Sequence, residues 1–178
     1  DGTITLTNVS TANISGFIGT SNIGVGVENL TLTGAVATSL VSATDLVTAN
    51  ITGALDSDTT LATADTAGPA ITFNSQDLTT ATVGGIIASL DVTSQANLES
   101  LTVTADFNGG SLTVATNNDL VTLVTTGAKI GNVSLTGNTD LEIVAFTHTT
   151  DLAPATTTPV AAADKGATVT ITGNTNMS

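Results

Sequence analysis

Carboxylates are the only abundant groups in this chain with chemistry to offer: 15 Asp and Glu stand against two Lys, one His and no Arg, a formal net charge of -13. Asp56-Ser57-Asp58, with Asp65 close behind, has the oxygen donors to wrap a hard cation such as calcium. The spacing is not that of an EF-hand loop, and nothing matches the Gly-Gly-x-Gly-x-Asp calcium nonapeptide. The plain alternative for this segment is a solvated loop. Asp119 and Asp140 form a second candidate, because they fall at the same position of neighbouring repeat units. Two carboxylates on adjacent coils repel, and a bound cation or a proton relieves that repulsion. Calcium is therefore the expected cofactor, with Asp56, Asp58, Asp65, Asp119 and Asp140 as its candidate ligands.

Other chemistries find little support, and no enzyme is expected. His148 has no Ser or Cys partner motif around it and reads as polar surface in a Thr-rich loop. With no Cys there is no disulfide or thiol chemistry. Paired carboxylates can hydrolyse a glycoside, but a sugar groove favours aromatic platforms and the chain holds four Phe, no Tyr and no Trp. With Lys129 and Lys165 as the only fixed cations, no nucleic acid and no anionic membrane is expected as a partner. No apolar run is long enough to span a bilayer.

The elements that must position these carboxylates follow from a nine-residue repeat. Its copies are Leu90–Leu98, Leu112–Leu120, Val133–Leu141 and Val169–Met177, with starts 22, 21 and 36 residues apart. Positions 1, 3 and 9 are aliphatic. Position 6 is Gln95, Asn117, Asn138 and Asn174, and position 8 is Asn97, Asp119, Asp140 and Asn176. Positions 1 and 3 share one side of an extended strand, while 2 and 4 face outward. Positions 5 to 8 carry turn chemistry, including Gly137-Asn138 and Gly173-Asn174. A second apolar run follows: Leu98-x-x-Leu101-x-Val103, Leu120-x-x-Leu123 and Leu141-x-Ile143. One coil is thus strand, corner, strand, loop. Such a period marks a solenoid whose units bury their apolar faces against one another.

The fold expected is all-β: a parallel β-helix, right-handed or a similar β-solenoid, with coils of about 21–22 residues and room for about eight of them. The polar residues at position 8 are expected to stack as an amide ladder that satisfies corner backbone groups, or simply to favour turns. Helix is disfavoured by the Thr and Val content, except that 35–49 is spaced for one short helix. The whole of 1–178 reads as a single β-solenoid region: looser coils over 1–70, regular coils over 71–178, and an inserted loop at 147–165. Ile71-x-Phe73 with Gln76-Asp77-Leu78 is a degenerate copy, 19 residues before the first clean one. Asp56–Pro69 is a polar break. The start without Met and the stop inside a fresh repeat suggest a piece of a longer chain.

Thr-x-Thr pairs raise an ice-binding reading, since a flat Thr array on a β-helix is how some antifreeze proteins work. The array must recur on every coil. At outward positions 2 and 4 the copies read Asp91/Thr93, Thr113/Ala115, Ser134/Thr136 and Thr170/Thr172, so only the last is a true pair. The Asn-x-Ser/Thr triplets are close to chance for so Thr-rich a chain.

The pattern of Val133–Leu141, aliphatic-x-aliphatic-Thr-Gly-Asn-x-Asp-Leu, resembles coils of receptor L-domain-like β-helices. The whole-chain texture, acidic, Cys-free, poor in Lys and Arg and rich in Thr, Ala, Val, Gly, Asn and Asp, resembles bacterial surface-layer (S-layer) proteins. The second resemblance implies a secreted, extracellular protein of the cell surface that self-assembles into a lattice with calcium at its contacts. The partners it implies are copies of the same chain, and cell-surface polysaccharide through a region outside this sequence. No direct membrane insertion is expected. The expected function is structural: an S-layer lattice subunit assembling with divalent cations. The alternative is a secreted adhesin passenger or stalk presenting the loop at 147–165. An ice-binding or polysaccharide-active β-helix is less favoured.

Overall fold

The computed structural model describes residues 3–15, 20–23, 26–33, 40–41, 44–52, 70–126, 132–147 and 169–176. Among these there is no helix, and fifteen strands alternate between two roles. The first strand of each coil is β1 (Thr3–Leu6), β3 (Thr20–Ile23), β5 (Leu40–Val41), β7 (Ala70–Thr72), β9 (Ile86–Thr93), β11 (Asp106–Ala115), β13 (Asn132–Thr136) or β15 (Val169–Thr172). The second is β2 (Thr11–Ile14), β4 (Asn29–Leu32), β6 (Thr48–Ile51), β8 (Thr80–Val83), β10 (Ser100–Val103), β12 (Thr122–Thr125) or β14 (Ile143–Phe146). Every pairing is parallel and joins strands of the same role: β1 with β3, β5 through β15 in one six-stranded sheet, and β2 through β14 in one seven-stranded sheet. The chain is a β-solenoid with coils of about 21 residues.

The nine-residue repeat sets the register. Position 1 stacks on position 1 throughout: Ile71 on Leu90, Leu90 on Leu112, Leu112 on Val133, Val133 on Val169. The degenerate copy at Ile71 therefore occupies the place that its pattern assigned to it. Positions 1, 3 and 9 are buried in the three copies from Leu90 to Leu141, as with Leu112, Val114 and Leu120, while Ile171 on the last rung is 44% exposed. Each such Leu or Val contributes about 1.5–3 kcal/mol by leaving water. Phe73 and Phe107 fill the same core. The sheet of first strands bulges between Phe107 and Ser111, where the three residues Asn108-Gly109-Gly110 stand opposite the single Ala88. No irregularity interrupts the sheet of second strands.

Two expectations are corrected. The stretch 35–49, spaced for a helix, supplies β5 and the start of β6 in its described part, because the edges of β4, β7 and β8 each need a parallel partner for their backbone groups. In the last second strand the inward residue is Val144, and Ile143 is 53% exposed. The spacing 9-x-x-inward of the earlier coils (Leu98 to Leu101, Leu120 to Leu123) holds here too, as Leu141 to Val144.

Between the two strands, each coil makes the same join. The carbonyl two residues before a second strand's first inward residue accepts two N–H groups from the next rung: Glu28 O from Val47 and Thr48, Thr79 O from Glu99 and Ser100, Val121 O from Glu142 and Ile143. Ser10, Val47 and Glu99 do the same. At the other end of each second strand, the following residue donates one rung back, as Thr33 does to Ile14 O and Thr104 to Val83 O.

The seven-stranded sheet carries an outward pattern that the clean repeats do not display. In its first five strands the outward residues are Thr11, Asn29, Thr48, Thr80 and Ser100 in one column, and Asn13, Thr31, Asn50, Thr82 and Thr102 in the next. Each of these is exposed or half-buried. None is charged or aliphatic. The pattern ends at Thr122/Val124 and Ile143/Ala145.

Two glycines separate backbone strain from crowding. Gly137 has a φ of +66°, and a Cβ there meets only Thr116 Cγ2 at 3.6 Å; Gly26 has a φ of +91°, and its Cβ would lie 3.0 Å from the Asn8 Cα. Gly137→Ala should cost about 1–2 kcal/mol, the left-handed penalty alone. Gly26→Ala should cost more, because backbone must also move. Equal losses in denaturant titration would contradict this account.

Candidate functional site

The corner between the two strands holds the polar residues that the repeat singles out, and it is built from position 5 upward. Position 5 has positive φ in all four clean copies: Ser94 (57°), Thr116 (54°), Gly137 (66°) and Gly173 (67°). A left-handed residue breaks the in–out alternation of the strand, so position 6 turns into the core. Gln95, Asn117 and Asn138 are at most 1% exposed. Positions 6 to 9 then close a tight turn, with Leu120 N–H donating to Asn117 O at 3.2 Å and Leu98 and Leu141 repeating the bond at 3.4 Å.

The buried amides form a ladder. Asn117 Oδ1 accepts the Gln95 backbone N–H at 2.8 Å, Asn138 Oδ1 accepts that of Asn117 at 3.0 Å, and Asn174 Oδ1 accepts that of Asn138 at 2.8 Å. Each amide nitrogen donates to the position-3 carbonyl one rung back: Gln95 to Phe73 O, Asn117 to Val92 O, Asn138 to Val114 O, Asn174 to Leu135 O. Side-chain amides also bond directly, Asn117 Nδ2 to Asn138 Oδ1 at 3.1 Å and Asn138 Nδ2 to Asn174 Oδ1 at 3.2 Å. The ladder thus runs at position 6 and not at position 8, where it was expected. Strand alternation would turn position 6 outward, and the left-handed residue at position 5 reverses that.

The ladder changes at Gln95. The corner below, Asn74-Ser75-Gln76-Asp77, is one residue shorter and has no positive-φ residue. Ser75 takes the inward place and spends its hydroxyl on Thr44 O and Leu46 O, at 2.8 and 2.6 Å. Gln95 Oε1 is left buried without a hydrogen-bond partner, a local cost of about 1–3 kcal/mol.

Position 8 lies on the solvent side of the turn. The register extends its column beyond the clean repeats, to Asn8, Gly26, Asp45, Asp77, Asn97, Asp119, Asp140 and Asn176, each just before an aliphatic residue. Gly26 N–H donates to Asp45 Oδ2 at 2.7 Å, Asn97 Nδ2 to Gln76 O at 2.8 Å, and Asn176 Nδ2 to Asp140 Oδ1 at 3.2 Å. Two residues further on stand the exposed Glu28, Glu99 and Glu142. One edge of the solenoid is therefore acidic, and no Lys, Arg or His is among the described residues.

Of the expected ligands, Asp119 and Asp140 come together on adjacent rungs of this edge, both exposed, with Asp140 N–H donating to Asn118 O at 3.2 Å. Asp56, Asp58 and Asp65 lie outside the described residues, as do His148, Lys129, Lys165 and the loop from 148 to 165. Among the described residues, no three His, Cys, Asp or Glu are grouped so as to hold a metal ion. Asp45 and Asp77 were missed because their rungs do not keep the nine-residue spacing. The shorter motif, Asx before an aliphatic and three residues before a second strand, would have found them.

No family model, curated protein or solved structure matches the chain.

Asn117 is a fully buried rung of the ladder, bonded to the rungs on both sides of it. Asn117→Ala leaves the buried Gln95 N–H without a partner and strips Val92 O of its side-chain donor, and should cost about 1–3 kcal/mol. Asn117→Asp should be worse at neutral pH, because a carboxylate oxygen then faces Val92 O. Burial raises that carboxyl above the unfolded value of about 3.9, so the folded state holds the proton longer. The deficit should therefore shrink below that value and grow as pH rises through the folded one. A deficit that is flat from acid to neutral pH would contradict the ladder's geometry.

Proposed function

We propose that this chain is a structural, non-catalytic β-solenoid of an extracellular cell surface, whose copies pack into an S-layer lattice bridged by calcium. The observation that carries the reading is the acidic edge. Asp119 and Asp140 stack on adjacent rungs with Glu99 and Glu142 beside them, and no cationic side chain among the described residues stands near to neutralise them. Such an edge keeps copies apart in low salt and lets a divalent cation draw two edges together. Exposed carboxylates on a rigid frame supply oxygen donors from two molecules, where one edge alone supplies too few for calcium's six to eight ligands. The backbone ladder and the buried amides hold that frame.

Negative-stain microscopy of the whole protein, with calcium and again with chelator, tests the reading. Ordered sheets that disperse on chelation are expected. Asp119→Asn with Asp140→Asn should raise the calcium needed several-fold while leaving the thermal midpoint in place. Dispersed particles under both conditions would sink the lattice and favour a stalk that presents loops to a partner.

A further inference from the structure

The outer face of the seven-stranded sheet differs from the rest of the molecule. Over five consecutive strands its two outward columns hold only Thr, Asn and Ser. They carry no charge in a chain of net charge -13. The strands beneath pair in unbroken register, so the columns repeat at about 4.8 Å between rungs and about 6.6 Å along each strand. These are the length scales on which oxygen rows recur at an ice surface. Thr is stiff at χ1, so its hydroxyl and methyl are presented in rank at little entropic cost on binding. Thr48 and Asn29 link adjacent rungs through their side chains, which restrains the array further.

The composition of the face argues against other occupants. A protein interface needs an apolar centre with aromatic or Arg anchors, and these ten positions have none. Nucleic acid needs cations. A sheet of fixed, neutral hydroxyls and amides with interleaved methyls suits a neutral, periodic lattice of water. We infer that this face binds ice. Positions 2 and 4 of the clean repeats carry no such array, being broken by Asp91 and Ala115; the regular array lies one face away, on the strands that follow the corner. The inference does not depend on the lattice reading.

Thermal hysteresis and ice-affinity partitioning of the full chain test it. The wild type should facet growing ice crystals and partition into the ice. Thr82→Lys, with a strongly hydrated ammonium at the centre of the array, should lose most of the hysteresis. Thr113→Lys, outward on the other sheet, should keep it. Circular dichroism checks that each variant folds, and Asn50→Lys, at a more exposed site beside Thr82, repeats the test if Thr82→Lys does not. Exclusion of the wild type from ice would overturn the inference. So would equal losses from Thr82→Lys and Thr113→Lys, or a wild-type dimer that Thr82→Lys disperses, since the face would then belong to a second copy.

Discussion

The position-6 amide is the interaction on which the regular coils depend. In a parallel solenoid the strands pair by backbone hydrogen bonds, but the corners do not, and a buried corner exposes N–H and C=O groups with no strand partner. Asn117 and Asn138 each meet one N–H and one C=O of neighbouring rungs through a single planar amide. Because the side chain is short, the bonds form only when rungs stand at strand spacing and in the same register. The ladder therefore acts as a register gauge as well as a source of stability. A slip of one residue would drop all of its bonds together and turn Leu112 and Val114 outward.

That gauge also explains how the coils tolerate irregular loops. The interval between β13 and β15 is 36 residues, yet Val169 stacks on Val133 and Asn174 on Asn138 as closely as in the 21-residue coils. Loop closure grows only slowly with length, so an excursion costs little when strand and corner on both sides are held. The short corner at Ser75 shows the other limit. Losing one residue removes the left-handed position, a hydroxyl replaces the amide, and the next rung pays with the unpaired Gln95 Oε1.

The coil also sorts its surface. Turn residues at position 8 and the Glu that follow gather charge on one edge, while the second strands gather neutral Thr, Asn and Ser on one face. Each follows from a local requirement: Asx suits the turn, and β-branched Thr suits the outer pleat of a strand. Stacking converts these one-coil preferences into columns, so that an edge and a face acquire properties that no single coil has.

The sequence by itself determined the strands of the regular coils, their parallel stacking and the inward side of positions 1 and 3, because the period and the alternation are local and every copy restates them. Leu90, Leu112, Val133 and Val169 align in the chain as they stack in space. Tertiary structure decided what depends on a neighbour. Asn117 turns inward only because Thr116 adopts positive φ, which no propensity of Thr foretells. Residues 40–41 and 48–49 become strand because adjacent rungs present edges that need pairing. Asp45 and Asp77 join the edge of Asp119 and Asp140 only once rungs of unequal length are laid in register. The Thr and Asn columns, spread over strands at uneven intervals in the chain, become an array only when parallel pairing brings Thr31, Asn50 and Thr82 onto successive rungs.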